Sequence, residues 1–115
     1  MTRDLYIRRL LALYLGLPHT AARRPSTADR KLAAKLFDGN VPWPTVETAL
    51  LLTFARRLNR DPQNPPLNLI RSLAYFLPTI DELAHSRYLH LDSYLRYLHD
   101  KLDHLIDFST VWGER

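Results

Sequence analysis

Apolar residues recur along this chain at intervals of three and four, and proline or glycine clusters cut the pattern into short lengths. That spacing is the stripe of an amphipathic helix, whereas the strict alternation of a half-buried strand is scarce. The last stripe is the most regular: Leu91, Leu95, Leu98, Leu102 and Leu105. A chain so patterned points to an all-α fold, a single compact bundle of about five helices.

The first helix is predicted over residues 3–15, with Ile7, Leu10, Leu11 and Tyr14 on one face, and Gly16 and Pro18 stop it. Residues 18–26 form a proline-bounded basic loop with His19, Arg23 and Arg24. Ser26 or Thr27 caps the second helix and Asp29 sits in its first turn. Leu32, Leu36 and Phe37 face inward until Gly39-Asn40 closes it. Pro44 suits the first turn of the third helix. Its face of Val46, Ala49, Leu50, Thr53 and Phe54 is extended by Leu51 and Leu52, so it is apolar nearly all round and is expected at the centre. A proline-rich loop at residues 61–66 precedes a fourth helix predicted over residues 68–85, with Ile70, Leu73, Leu77, Ile80 and Leu83 inward. Pro78 lacks the N–H and clashes with the preceding turn, so it kinks or breaks that helix. The fifth helix carries the leucine stripe behind Asp92 as its cap, and residues 107–115 are a tail holding Trp112.

With 115 residues and 46% apolar content, residues 1–115 read as one globular domain able to bury a core. The chain has no cysteine, which removes disulfides, thiolate metal sites and a cysteine nucleophile, so packing must supply the stability. No apolar run approaches the ~20 residues of a membrane span. Charges at Arg3, Asp4, Arg8 and Arg9 fall where a signal peptide would be apolar, so a cytoplasmic protein is expected.

Charge is unevenly distributed. Residues 1–60 hold 11 Lys/Arg against 4 Asp/Glu, a balance of +7, and residues 61–115 hold 5 against 8, a balance of −3. A basic half joined to a mildly acidic half points to a face for a polyanion. Arg8 and Arg9 on the first helix, Arg23 and Arg24 in the loop, Lys31 and Lys35 on the second helix, and Arg56, Arg57 and Arg60 near the end of the third are the candidate phosphate contacts. If they converge on folding, they bind DNA backbone without reading sequence. An ordinary solvated surface is the competing reading.

Two local patterns invite sharper readings. The second and third helices have the order of a helix-turn-helix, but the leading end of the third offers Thr45, Glu47 and Thr48 with no Arg or Lys to read bases. A plain helical hairpin is therefore expected. On the fifth helix His99 with Asp103, and Asp100 with His104, stand one turn apart, a spacing a metal could use. No third ligand accompanies them, so a solvated helix face is expected and no metal is assigned. Tyr75, Phe76, Tyr88, Tyr94 and Tyr97 read as core and rim. No glycine-rich phosphate loop or nucleophile elbow is present, so no catalytic residue or cofactor is assigned, and a non-enzymatic protein is expected.

Val46-Glu47-Thr48-Ala49-Leu50 on a long helix is followed by a proline-rich connection and then by Ile70-Arg71-Ser72-Leu73-Ala74-Tyr75-Phe76 and Ile80. Over residues 41–83 this pattern resembles the DnaD-like replication accessory domains of bacteria. The resemblance implies an all-helical, DNA-binding module acting in replication initiation or in the maintenance of a plasmid or mobile element. The alternative expectation is a protein-interaction or oligomerisation module. Its partner-binding residues would be Leu98 and Leu102 of the leucine stripe together with Trp112, with a homodimer as one form.

Overall fold

The computed structural model describes residues 1–85, 91–103 and 105. The expectations placed on Tyr88, His104, Trp112 and the tail at residues 107–115 lie outside the described residues. Within them the fold is all-helical: α1 (Arg3–Gly16), α2 (Thr27–Asp38), α3 (Trp43–Leu58), a 3-10 turn at Leu73–Phe76, α4 (Leu77–His85) and α5 (Leu91–Leu102). No helix among them is long and apolar enough to cross a membrane.

Local chemistry sets the helix ends. Thr2 caps α1 through its hydroxyl, which accepts from the Leu5 N–H at 3.1 Å. Ser26 and Asp29 form a reciprocal capping box on α2, with both bonds at 3.0 Å. Beyond α2 the Asn40 N–H reaches Phe37 O at 2.9 Å and the Val41 N–H reaches Leu36 O at 3.1 Å, the paired bonds of a Schellman motif. The left-handed residue that closes it is Asn40, at φ 61°, and not Gly39.

α3 is the axis of the molecule. Thr45 through Phe54, ten consecutive residues, are all buried. α1, α4 and α5 all pack on it, whereas α2 packs chiefly on α1. The helical hairpin expected of the second and third helices is therefore not formed, and neither is a groove-reading pair. Thr45, Glu47 and Thr48, which would face bases, are inside.

Two aromatic clusters close the ends of this packing. At one end Tyr6 meets Phe37 and Trp43 edge-on, at 5.2 and 5.8 Å, and its hydroxyl donates to Val41 O at 2.8 Å. At the other, Tyr14 meets Phe76 at 6.0 Å and His19 meets Phe54 at 5.4 Å.

The expected fourth helix begins late. Residues 68–72 are not helical: Ile70 pairs with Thr20 in an isolated parallel bridge, with Ile70 N–H to His19 O at 2.7 Å and Ala21 N–H to Ile70 O at 2.8 Å. The break comes at the proline foreseen, because Pro78 enters as the second residue of α4, where a missing N–H costs nothing. Asp29 sutures this region to α2, its second carboxylate oxygen accepting from the Leu73 N–H at 3.0 Å.

The leucine stripe of α5 turns inward. Leu98 and Leu102 are 2% and 1% exposed within the core, Leu95 is partly buried, and Leu105 lies past the helix end at 42% exposure. This corrects the partner-binding role given to Leu98 and Leu102. α3 already covers them, so that part of the stripe stabilises the fold and offers no outer surface.

Candidate anion-binding cleft

The last turn of α3 carries Arg56 and Arg57, and consecutive helical positions face directions about 100° apart. Arg56 meets α4, where its two terminal nitrogens pair with both carboxylate oxygens of Glu82 at 2.9 Å each. Hydrogen bonding to that guanidinium holds the Glu82 carboxyl below its usual range. Arg57 turns to the loops. Its Nη2 donates to Asn68 O at 2.9 Å, its Nη1 to the Tyr75 hydroxyl at 2.9 Å, and its Nε to His19 Nδ1 at 3.4 Å. Its guanidinium carbon also lies 5.5 Å from the centre of the Tyr75 ring.

All of these partners are neutral. The His19 Nδ1 accepts the Arg57 Nε–H as a hydrogen-bond acceptor, so the ring hydrogen sits on Nε2. Arg60 likewise bonds a backbone carbonyl, that of Pro65. The two arginines hold the proline-rich connection in place, and among the described residues no carboxylate pairs with either. Asp61 also lines the cleft beside Arg57 and Arg60, but it forms no ion pair within 4 Å with either of them. His19 sits at φ 71°, a left-handed conformation that costs a non-glycine residue about 1–3 kcal/mol. The Ile70 bridge and the Phe54 ring hold it there.

Around Arg57 lie two adjoining open clefts of about 360 and 640 Å³. Arg57, Leu67 and Leu69 line both; His19 and Arg60 belong to the first, Arg71 and Tyr75 to the second. Leu67, Leu69 and Tyr75 are 43%, 54% and 42% exposed, unusual for large apolar groups on one small surface. Such a site offers guanidinium donors and an imidazole N–H beside apolar walls. It suits an anion attached to a flat or apolar body.

The nine cations singled out from the sequence do not form one patch. Arg8 pairs with Asp4 at 3.0 Å along α1, and Arg56 with Glu82. Arg9 is half-buried and its charge acts on the buried Glu47. Lys31 and Lys35 are exposed on α2, and Lys35 sits in the last turn, away from the cleft. Arg57 and Arg60 remain in the cleft. Arg23 and Arg24 follow Ala21, which is bonded to Ile70, so their backbone lies within a few residue lengths of Arg71. The sequence reading missed His19, Leu67, Leu69, Arg71 and Tyr75. Arg71 was counted in the acidic half, and the Thr20–Ile70 bridge and the Arg57 bonds to Asn68 and Tyr75 show that the two halves meet here.

The polar face of α5 also departs from expectation. His99 is not solvated: its side chain is 27% exposed and its Nε2 lies 3.4 Å from Oε2 of Glu47, whose side chain is 5% exposed. Burial pushes the Glu47 carboxyl up to about 7 and draws the His99 imidazole down, so both favour their neutral forms. Among the described residues no three His, Asp or Glu side chains gather to hold a metal. Compared with protein families, curated proteins and solved structures, the chain matches none.

Proposed function

We propose that this protein is a small non-enzymatic module that binds nucleic acid through its phosphates, at the end of the bundle formed by the last turn of α3 and the loops packed there. The observation that carries this is Arg57: a half-buried guanidinium held only by neutral acceptors, with Arg60 and Arg71 on the same clefts. A phosphate 4 Å from such a group gains about 4 kcal/mol at an effective dielectric of about 20. Arg23, Arg24 and Arg71, exposed and engaged in no described bond, extend the contact along a backbone. The contacts are to phosphate, so binding is independent of sequence. The likeness of residues 41–83 to the replication accessory domains supports a place in replication or mobile-element maintenance.

The interaction alternative loses much of its basis, since Leu98 and Leu102 are core residues. A salt titration of oligonucleotide binding tests the proposal. Neutralising three to five phosphates predicts a loss in affinity between 50 and 200 mM salt of roughly 40- to 500-fold on a duplex and roughly 20- to 130-fold on a single strand. Replacing Arg23, Arg24 and Arg71 together by Gln should flatten that slope without unfolding the chain. Affinity indifferent to ionic strength, or absent at the lowest salt, would refute it.

A further inference from the structure

We infer that the joined clefts around Arg57 seat an unpaired nucleotide, so that the polyanion bound is single-stranded. This rests on the nucleic-acid reading above and narrows it to one form of the ligand. The argument begins with what a duplex cannot use. In a duplex the bases are stacked inward and the outer surface is sugar and phosphate. Such a surface laid across this end would meet Arg57, Arg60 and Arg71 well, but would set polar backbone against Leu67, Leu69 and Tyr75. Those three groups stay exposed at the centre of the cations.

A flexible strand resolves the mismatch. Its bases carry apolar π-faces, and its phosphates recur between them, so one unit can place a base on the Tyr75–Leu67–Leu69 wall and a phosphate on a neighbouring guanidinium. The larger cleft, about 640 Å³, falls in the range of about 300–1,000 Å³ typical of small-molecule sites. The wall is pre-built. Tyr75 is fixed by its hydroxyl bond to Arg57 at 2.9 Å and by edge contact with Phe76 at 5.5 Å, so little side-chain freedom is lost on stacking. Complementary charge selects an anion, and the exposed apolar wall selects one with a flat face.

Fluorescence anisotropy with labelled single-stranded and duplex oligonucleotides of equal length, at one salt concentration, tests this. The single strand should bind at least about 10-fold more tightly. Tyr75→Ala should cost the single strand about 5- to 100-fold while leaving the duplex within about twofold. Tyr75→Phe keeps the ring and should retain most of the single-strand affinity, which guards against a simple folding defect. Leu69→Ser, at a 54% exposed position, should weaken single-strand binding in the same direction. Equal affinity for the two forms with no effect of Tyr75→Ala would overturn the seat yet leave the phosphate reading standing. Competition by polyglutamate as effective as by the single strand would also overturn it, in favour of an acidic peptide. Failure of both the single strand and the duplex to bind at low salt removes both proposals.

Discussion

The two ends of α3 are built from opposite chemistry. From Thr45 to Phe54 the helix is wrapped on every side by α1, α4 and α5, and an aromatic trio of Tyr6, Phe37 and Trp43 closes its entrance. From Ala55 onward it emerges among loops, and arginine hydrogen bonds to neutral groups replace close packing. The first arrangement gains stability by removing apolar area from water. The second orders a proline-rich connection while leaving positive charge unspent. One helix thus anchors a core at one end and presents an anion site at the other, and the stability of the core is what allows the far end to keep strained and uncompensated groups.

This contrast can be broken experimentally. The largest effect belongs to the core: Leu98→Ala should cost about 2–5 kcal/mol in urea unfolding, because it empties space against α3. The same variant should leave the molar mass by light scattering unchanged; a change in assembly would restore a partner role to that stripe. Next comes Glu47, the one carboxylate in the buried stretch. Its folded form holds the proton more tightly than an ordinary carboxyl at 4.5, so its stabilising contribution is full below that value and is lost as pH rises through about 7. That loss is on the order of 3 kcal/mol. His99 acts in the opposite sense: its contribution is present above 6.5 and lost as pH falls through the lowered value. Glu47→Gln should therefore abolish the decline toward alkaline pH and keep the slope on the acid side. A variant with the parental profile would show that the carboxyl is already charged at acid pH.

The smallest effects compare neighbours at the basic end. Arg57→Gln removes three bonds that tie down two loops and should cost about 1.5–3 kcal/mol. Arg56→Gln breaks the exposed pair with Glu82 and should leave the unfolding midpoint unchanged within error. Equal losses from the two would mean that Arg57 contributes no more order than a surface ion pair. In binding assays the order should persist, with Arg57→Gln impairing nucleic-acid affinity and Arg56→Gln sparing it.

Most of the fold was legible from periodicity and punctuation. Ser26, Asn40 and Pro44 act locally, through bonds and torsions set by their immediate neighbours, and such features can be read without knowing the rest of the chain. The late start of α4 was harder to read. Asn68 to Ser72 carry an inward Ile70 at helical spacing from Leu73, and only pairing with Thr20 turns that stretch into an extended arm. His99 was misplaced for a related reason. A polar residue on a helix face is taken for a solvated one until a distant carboxylate, here Glu47, is found opposite it.

The site was legible only in part. Arg23, Arg24, Arg57 and Arg60 were marked by charge, but nothing in linear order separates Arg57 from Arg56. What separates them is the angular step of a helix, which sends one guanidinium to a carboxylate and the other to carbonyls and rings. By itself the sequence determined the all-α class, the capped helices, the apolar centre of α3 and the break at Pro78, because each follows from chemistry within a turn or two of chain. The tertiary structure alone decided which cations keep their charge uncompensated, that Arg71 joins them, and that Leu98 and Leu102 face inward. Those outcomes depend on contacts between residues tens of positions apart, and local sequence carries no record of which surfaces will meet.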